Sequence, residues 1–190
     1  MFAEYAASTL WGAVHLGQLL TMALILAGLA SLYVILPIRA GWAGQVARLA
    51  SMAALVTLAL TAVLQAVDGI ALKQAVDAWA QAPATDQAAR FATAEAMRWL
   101  EWAVRSYQRL MLGITLGLSA AVVVSSTRLP RPIGYAMAIS SLAYVAQGIL
   151  VGAEGFSATS TTPQLLAFVA DVVWTGWLAI TAWSRPSHIL

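Results

Sequence analysis

Five stretches of the chain run for about 20 residues or more with almost no charge: roughly 10–38, 46–67, 110–127, 133–151 and 165–183. A helix of this length and polarity can cross the hydrocarbon core of a bilayer. No other pattern narrows the fold as far, because in lipid every backbone N–H and C=O must be paired within the protein, and helices achieve this locally. Only 9% of the residues are charged, against about 25% in a soluble domain. So few charges cannot cover a surface in water. The expected fold is all-α: a polytopic integral membrane helix bundle of about five transmembrane helices, built as one domain over residues 1–190. The first stretch is longer than a span needs and should tilt or project. The opening MFAEYAASTLW carries an acid and neither Lys nor Arg, so it reads as a retained helix and not as a cleaved signal peptide. SATSTTPQ, residues 157–164, reads as a loop before the fifth span.

Charge sets the expected orientation. Arg39 and Arg48 lie between spans one and two, Arg128 and Arg131 between spans three and four, and Arg185 follows span five; none of these segments holds an acid. The other side holds Glu4, Asp68, Asp77, Asp86, Glu95, Glu101 and Glu154. The acid-free, Arg-bearing side is the cytoplasmic one by the positive-inside rule. That places the N-terminus outside and the C-terminus in the cytoplasm. Abundant Ala and short loops fit a bacterial inner membrane.

The densest charge abuts one of the apolar spans. In AEAMRWLEWAVRSYQRL, residues 94–110, Glu95, Arg98, Glu101, Arg105 and Arg109 fall within about a third of a helical circumference. Met97, Leu100, Ala103, Val104, Tyr107 and Met111 fall opposite. The signs alternate at helical spacing, and Glu101 with Arg105 has the favourable i,i+4 order. The pattern predicts a helix from near Asp86 that crosses the outer interface and continues as span three. DGIALKQAVDAWAQAP predicts a shorter helix before it, ending at Pro83. Residues 68–106 thus form an amphipathic helix pair on the outer face. The simplest reading of the charges is a self-neutralised, solvated ladder; the alternative turns Glu101, Arg105 and Arg109 inward onto a cavity.

Polar groups inside the spans fall at one depth. His15 and Gln18 of span one, Gln65 and Asp68 at the end of span two, Arg105 and Glu101 above span three, Tyr144 and Gln147 of span four, and Asp171 of span five cluster toward the outer end. Intramembrane ionisable residues are costly and are functional candidates by default; polar residues also join membrane helices, at under about 2 kcal/mol per contact. The expectation is an outward-facing polar and aromatic pocket, lined by His15, Gln18, Gln65, Asp68, Glu101, Arg105, Tyr144, Gln147, Asp171 and Trp174, with Trp11, Trp102 and Phe168 adding aromatic surface. Gly113 with Gly117 and Gly148 with Gly152 place small residues four apart, a spacing that lets helices approach closely.

Several chemistries are excluded or left without support. No cysteine is present, so there is no disulfide, thiolate metal site or cysteine nucleophile. A net charge of +2 is too small for a nucleic-acid footprint, and no HExxH, phosphate loop or GxSxG occurs. His188 sits in the polar tail, which leaves His15 as the one intramembrane imidazole and the lead ligand for a haem or a divalent metal. Three functions remain in view. The first is binding of a lipophilic ligand, quinone, haem or ion in the pocket. The second is a non-catalytic accessory or assembly subunit of a larger membrane complex, or a homo-oligomer. The third is a small transporter or proton-conducting protein using Asp171 and Glu101. The surrounding partner is membrane lipid, and enzymatic activity is not indicated.

Overall fold

The computed structural model describes residues 2–36 and 41–184. Arg39, Arg185, His188 and the last residues of the first predicted span lie outside the described residues. The described chain is helical throughout, with no strand: α1 (Phe2–Ala7), α2 (Trp11–Ile35), α3 (Gly41–Ala66), a π-helical segment (Val67–Leu72), α4 (Lys73–Ala80), α5 (Gln87–Ser125), α6 (Arg131–Glu154) and α7 (Ala158–Ser184). Five helices are long and apolar enough to cross a membrane, and the protein is a small integral membrane helix bundle. Large apolar side chains such as Leu24, Leu55, Leu142 and Ile180 cover its outside, where lipid tails are as apolar as they are.

α5 is the central helix. It packs against α3, α4, the π-helical segment and α6; α6 in turn packs on α7, and α2 leans on α3 and the π-helical segment. The spans therefore follow one another as α2, α3, α5, α6, α7. The row curves enough for Leu29 of α2 and Trp174 of α7 to share one apolar core. Outside the membrane-like core, α1, α4 and the start of α5 enclose a second, smaller one around Leu72, Val76 and Ala94. Lys73 joins this cap by donating to the carbonyl of Ala6 at 3.2 Å, near the end of α1. The expected outer helix pair is present, but its first member grows from α3 without a break, through the π-helical segment.

Two corrections follow. Residues 158–164 belong to α7, not to a loop. Ser157 and Ser160 hold each other's backbone N–H with their hydroxyls, at 3.1 and 3.0 Å. Hydroxyls that favour a loop elsewhere here satisfy the first free donors of a helix, and Pro163 inside it removes one backbone bond. The second correction concerns α5. Glu101 is 0% exposed and Arg98 is buried, whereas Leu100 and Tyr107, on the predicted apolar face, point outward. The charges form the inner face because apolar side chains are at home against lipid and ionised ones are not.

α5 and α6 approach most closely. A Cβ on Gly113 would lie 2.9 Å from the carbonyl oxygen of Ser141, and one on Gly148 would lie 2.9 Å from that of Ser106. The same two serines tie the helices reciprocally: Ser106 Oγ donates to the Gly148 carbonyl and Ser141 Oγ to the Gly113 carbonyl, both at 2.7 Å. Gly113→Leu should therefore force the helices apart and destabilise the protein by about 2 kcal/mol or more. Gly176→Leu, where a Cβ meets nothing within 4 Å, should leave stability unchanged. Thermal melts of both variants in mild detergent check this.

Candidate functional site

The π-helical segment is where the site begins. Its wider turn interrupts the regular α ladder, and the carbonyl of Asp68 accepts the indole N–H of Trp11 at 2.9 Å. The side chain of Asp68 points inward and is nearly inaccessible. Its Oδ2 lies 2.7 Å from Arg105 Nη2 and 3.2 Å from His15 Nε2. His15 Nδ1 donates to the Trp11 carbonyl at 2.7 Å, one turn earlier in α2. Gly69 lets the imidazole sit this close, since a Cβ there would come within 2.7 Å of the His15 Cβ.

From Asp68 a ladder of ion pairs runs outward along α5. Arg105 Nε donates to Glu101 Oε1, and Arg98 Nη1 reaches Glu101 Oε2 at 2.8 Å. Arg98 also bonds the hydroxyl of Tyr5 on α1. Arg98, Glu101, Arg105 and Asp68 alternate in sign, so each buried charge has an opposite neighbour. The aromatic rings of Tyr5, Trp11 and His15 stack beside it, with centroids 4.3 and 4.7 Å apart.

Inside the ladder lies a cavity of about 530 Å³, walled by α2, α3, α5 and the start of α7. Gln18, Gln65, Arg105, Gln108, Arg109 and Gln164 supply its polar lining, and Val14, Met22 and Ile25 its apolar part. Some of these groups satisfy each other: Gln65 Nε2 donates to Gln18 Oε1 at 3.2 Å, and Gln108 Nε2 to Thr61 Oγ1 at 3.2 Å. Others do not. Gln65 Oε1, Gln108 Oε1 and Arg109 Nε are inaccessible atoms with no hydrogen-bond partner among the described residues. Below it, Ile25 also begins a second, apolar groove of about 260 Å³ between α2 and α7, which Gly28, Leu29, Trp174 and Leu178 line. Cavity and groove share Ile25 and follow one another along the side of α2 that faces α7, and the two together are the cleft.

A further network stands behind the cleft. Tyr144 of α6 donates to Asp171 Oδ2 at 2.5 Å, and Trp174 Nε1 donates to Asp171 Oδ1 at 2.9 Å. The guanidinium of Arg109 lies over the Tyr144 ring, 5.1 Å from its centroid. Gln147 is buried and donates to Gln164 Oε1 at 3.1 Å.

The ten candidate residues thus divide among three places. Gln18, Gln65 and Arg105 line the cavity. His15, Asp68 and Glu101 belong to the ladder that roofs it. Tyr144, Gln147, Asp171 and Trp174 form the supporting network, and Trp174 also reaches the groove. Phe168 takes no part: it is 65% exposed on the outer face of α7, because Ala167 and Ala170 supply the small surface that packs inward. The polar cavity residues outside the candidate set are Thr21, Thr61, Gln108, Arg109 and Gln164. Arg109 carried a signal in its place on the charged face of α5, Thr61 in its helical spacing with Gln65, and Gln164 in its spacing with Asp171. Gln108 carried none, since it is brought in by the packing of neighbouring helices.

The arrangement offers little to a metal ion. Among the described residues, no three His, Cys, Asp or Glu side chains come together as a ligand set. Both ring nitrogens of His15 face protein oxygens, and a haem iron or divalent metal on His15 would have to displace Asp68 or break the bond to Trp11. Asp68 and Glu101 are in turn engaged by arginines, and Asp171 by Tyr144 and Trp174.

Removing one charge from the ladder should be costly. Glu101→Gln keeps the shape but takes the carboxylate between Arg98 and Arg105 from both guanidinium groups, with an expected loss of about 3 kcal/mol. Glu154→Gln, at an exposed position, should stay within about 0.5 kcal/mol of the unmodified protein. Denaturation monitored by tryptophan fluorescence distinguishes them.

No curated protein and no solved structure matches this chain. One family profile does, over residues 6–181, from the end of α1 to within three residues of the end of α7. A match over nearly the whole bundle shows that the chain belongs to the family described as Domain of unknown function (DUF4386).

Proposed function

We propose that this integral membrane protein binds a lipophilic small molecule that enters the cleft between α2 and α7 from the bilayer. The observation that carries this reading is the cleft itself: a polar cavity of about 530 Å³ and an apolar groove of about 260 Å³ that share Ile25 in their walls. The cavity by itself falls within the range of small-molecule pockets, about 300–1,000 Å³, and helix bundles commonly hold ligands between their helices. The unpartnered amide oxygens of Gln65 and Gln108 support it further, because a buried polar atom without a partner costs about 1–3 kcal/mol unless something completes it.

The cleft lies toward the acidic end of the bundle. We place that end outside a bacterial inner membrane. At the opposite end Arg48, Arg128 and Arg131 occur without an acid, which favours the cytoplasmic side there. The ligand would then reside in the outer leaflet half.

Gly28 gives a direct test. It lines the groove, and a Cβ there meets nothing within 4 Å, so Gly28→Phe can fill the groove without disturbing the packing. Native mass spectrometry of the mildly solubilised protein should show one bound lipophilic molecule. Gly28→Phe should lose it while its melting temperature stays unchanged. Protein that carries and takes up no lipophile, with or without Phe at this position, would remove the proposal.

A further inference from the structure

Arg109 differs from every other charge in the ladder: among the described residues it forms no ion pair. Arg105, one turn away, has two carboxylates. The acid on the side of Arg109 is Asp171, but both its oxygens already accept hydrogen bonds, from Tyr144 and Trp174. Arg109 is left with the face of the Tyr144 ring, a Nε without a hydrogen-bond partner, and a place in the cavity wall. Asp171 supplies an opposite charge nearby but no direct contact, and a cation held in a membrane bundle without a bonded carboxylate is expensive. Its planar fork of N–H donors matches a carboxylate or a phosphate.

The rest of the cleft fixes the shape of the anion. Gln108, only 2% exposed, and Gln65 present amide groups to the same cavity, and both have an oxygen without a donor. The groove leads away from these groups toward the other side of the membrane. From Gln18 to Leu29 along α2 the wall extends roughly 16 Å at 1.5 Å per residue, the reach of a single extended acyl chain of about twelve carbons. One narrow groove between two helices suits one chain and not two.

The geometry points to a single-chain amphiphile with an acidic head group as the ligand, its carboxylate or phosphate on Arg109 and its chain in the groove between α2 and α7. This rests on the reading that the cleft binds a lipophile, and it adds the charge of the head, the number of chains and the residue that selects them. Two sources share this chemistry, a free fatty acid and a lysophospholipid. The unpartnered amide oxygens favour a head that also carries hydroxyl donors.

The test uses the full-length protein in a neutral sugar detergent and chains brominated near their middle, which quench tryptophan on contact. Trp174 lines the groove, so quenching lost in Trp174→Phe reports occupancy of the groove and not of the detergent belt. Three probes are compared: brominated stearate, brominated lysophosphatidylglycerol and a brominated monoglyceride, which is neutral. The acidic probes should bind about tenfold or more tightly than the monoglyceride. Arg109→Gln should remove that difference, and Arg109→Lys should keep part of it. Tighter binding of stearate than of the lysophospholipid would assign the carboxylate, and the reverse order the hydroxylated phosphate; either order supports the acidic head. Equal binding of acidic and neutral probes to the unmodified protein would overturn the acidic-head assignment and leave lipophile binding standing, and this comparison does not depend on how the variants fold. Absence of Trp174-dependent quenching by all three would overturn both.

Discussion

Arg105 holds two carboxylates at once, Glu101 on its own helix and Asp68 on the π-helical segment, and much of the bundle is arranged around that pair of contacts. Ionised groups in an apolar bundle are costly unless an opposite charge meets them. Asp68 must therefore point inward at one level, and the wider helical turn at 67–72 delivers it there. The same carboxylate faces His15 while its backbone oxygen receives Trp11, so the start of α2 is fastened to the segment that also anchors α5. Glu101 passes the connection on to Arg98, and Arg98 to Tyr5, which brings α1 over the top. Polar contacts thus organise the capped end of a protein that is apolar almost everywhere else.

Helix contacts elsewhere follow side-chain size. α5 and α6 meet through glycine, with serine hydroxyls bonded to the facing backbone, and α3 meets α5 through alanine and a bond between Thr57 and Thr115. In lipid, close backbone approach supplies the van der Waals contact that a hydrophobic driving force supplies in water. α2 has no such counterpart on the side of α7. It is tied at its start by Trp11 and His15, in its middle by Gln18 to Gln65 and near its end by Tyr33 to Ser119, and it leans on α3. The cleft opens on the side of α2 where no such bond crosses to α7.

Arg105 and Arg109 show how one turn of helix separates a cation paired with two carboxylates from one that has none in contact. They lie on the same face of α5, and both line the cavity. Asp68 and Glu101 leave Arg105 with nothing further to attract. Asp171 is bound by a phenol and an indole and makes no direct salt bridge with Arg109, which is why the proposed ligand is placed on Arg109.

The apolar runs were sufficient to read the five membrane helices, since crossing hydrocarbon imposes a length and a polarity that appear directly in the residues. The long helix through 87–125 and the helix before it were legible from periodicity and from Pro83. The depth of the polar residues was legible too, because rise per residue is constant along a helix. Which way α5 turns was not. Its charges lie on one face whether that face meets water or protein, and only the positions of Asp68 and His15, 37 and 90 residues away in sequence from Arg105, decide it. The helical start of α7 was hidden for a related reason: serine and threonine serve loops and helix caps with the same hydroxyls. Sequence determined that this is a membrane bundle with a polar layer toward one end, because hydrophobicity and periodicity are local properties. Tertiary structure alone decided that the layer divides into a closed ion-pair ladder, a supporting network and an open cavity, because partner and empty space are properties of how helices pack and not of any one helix.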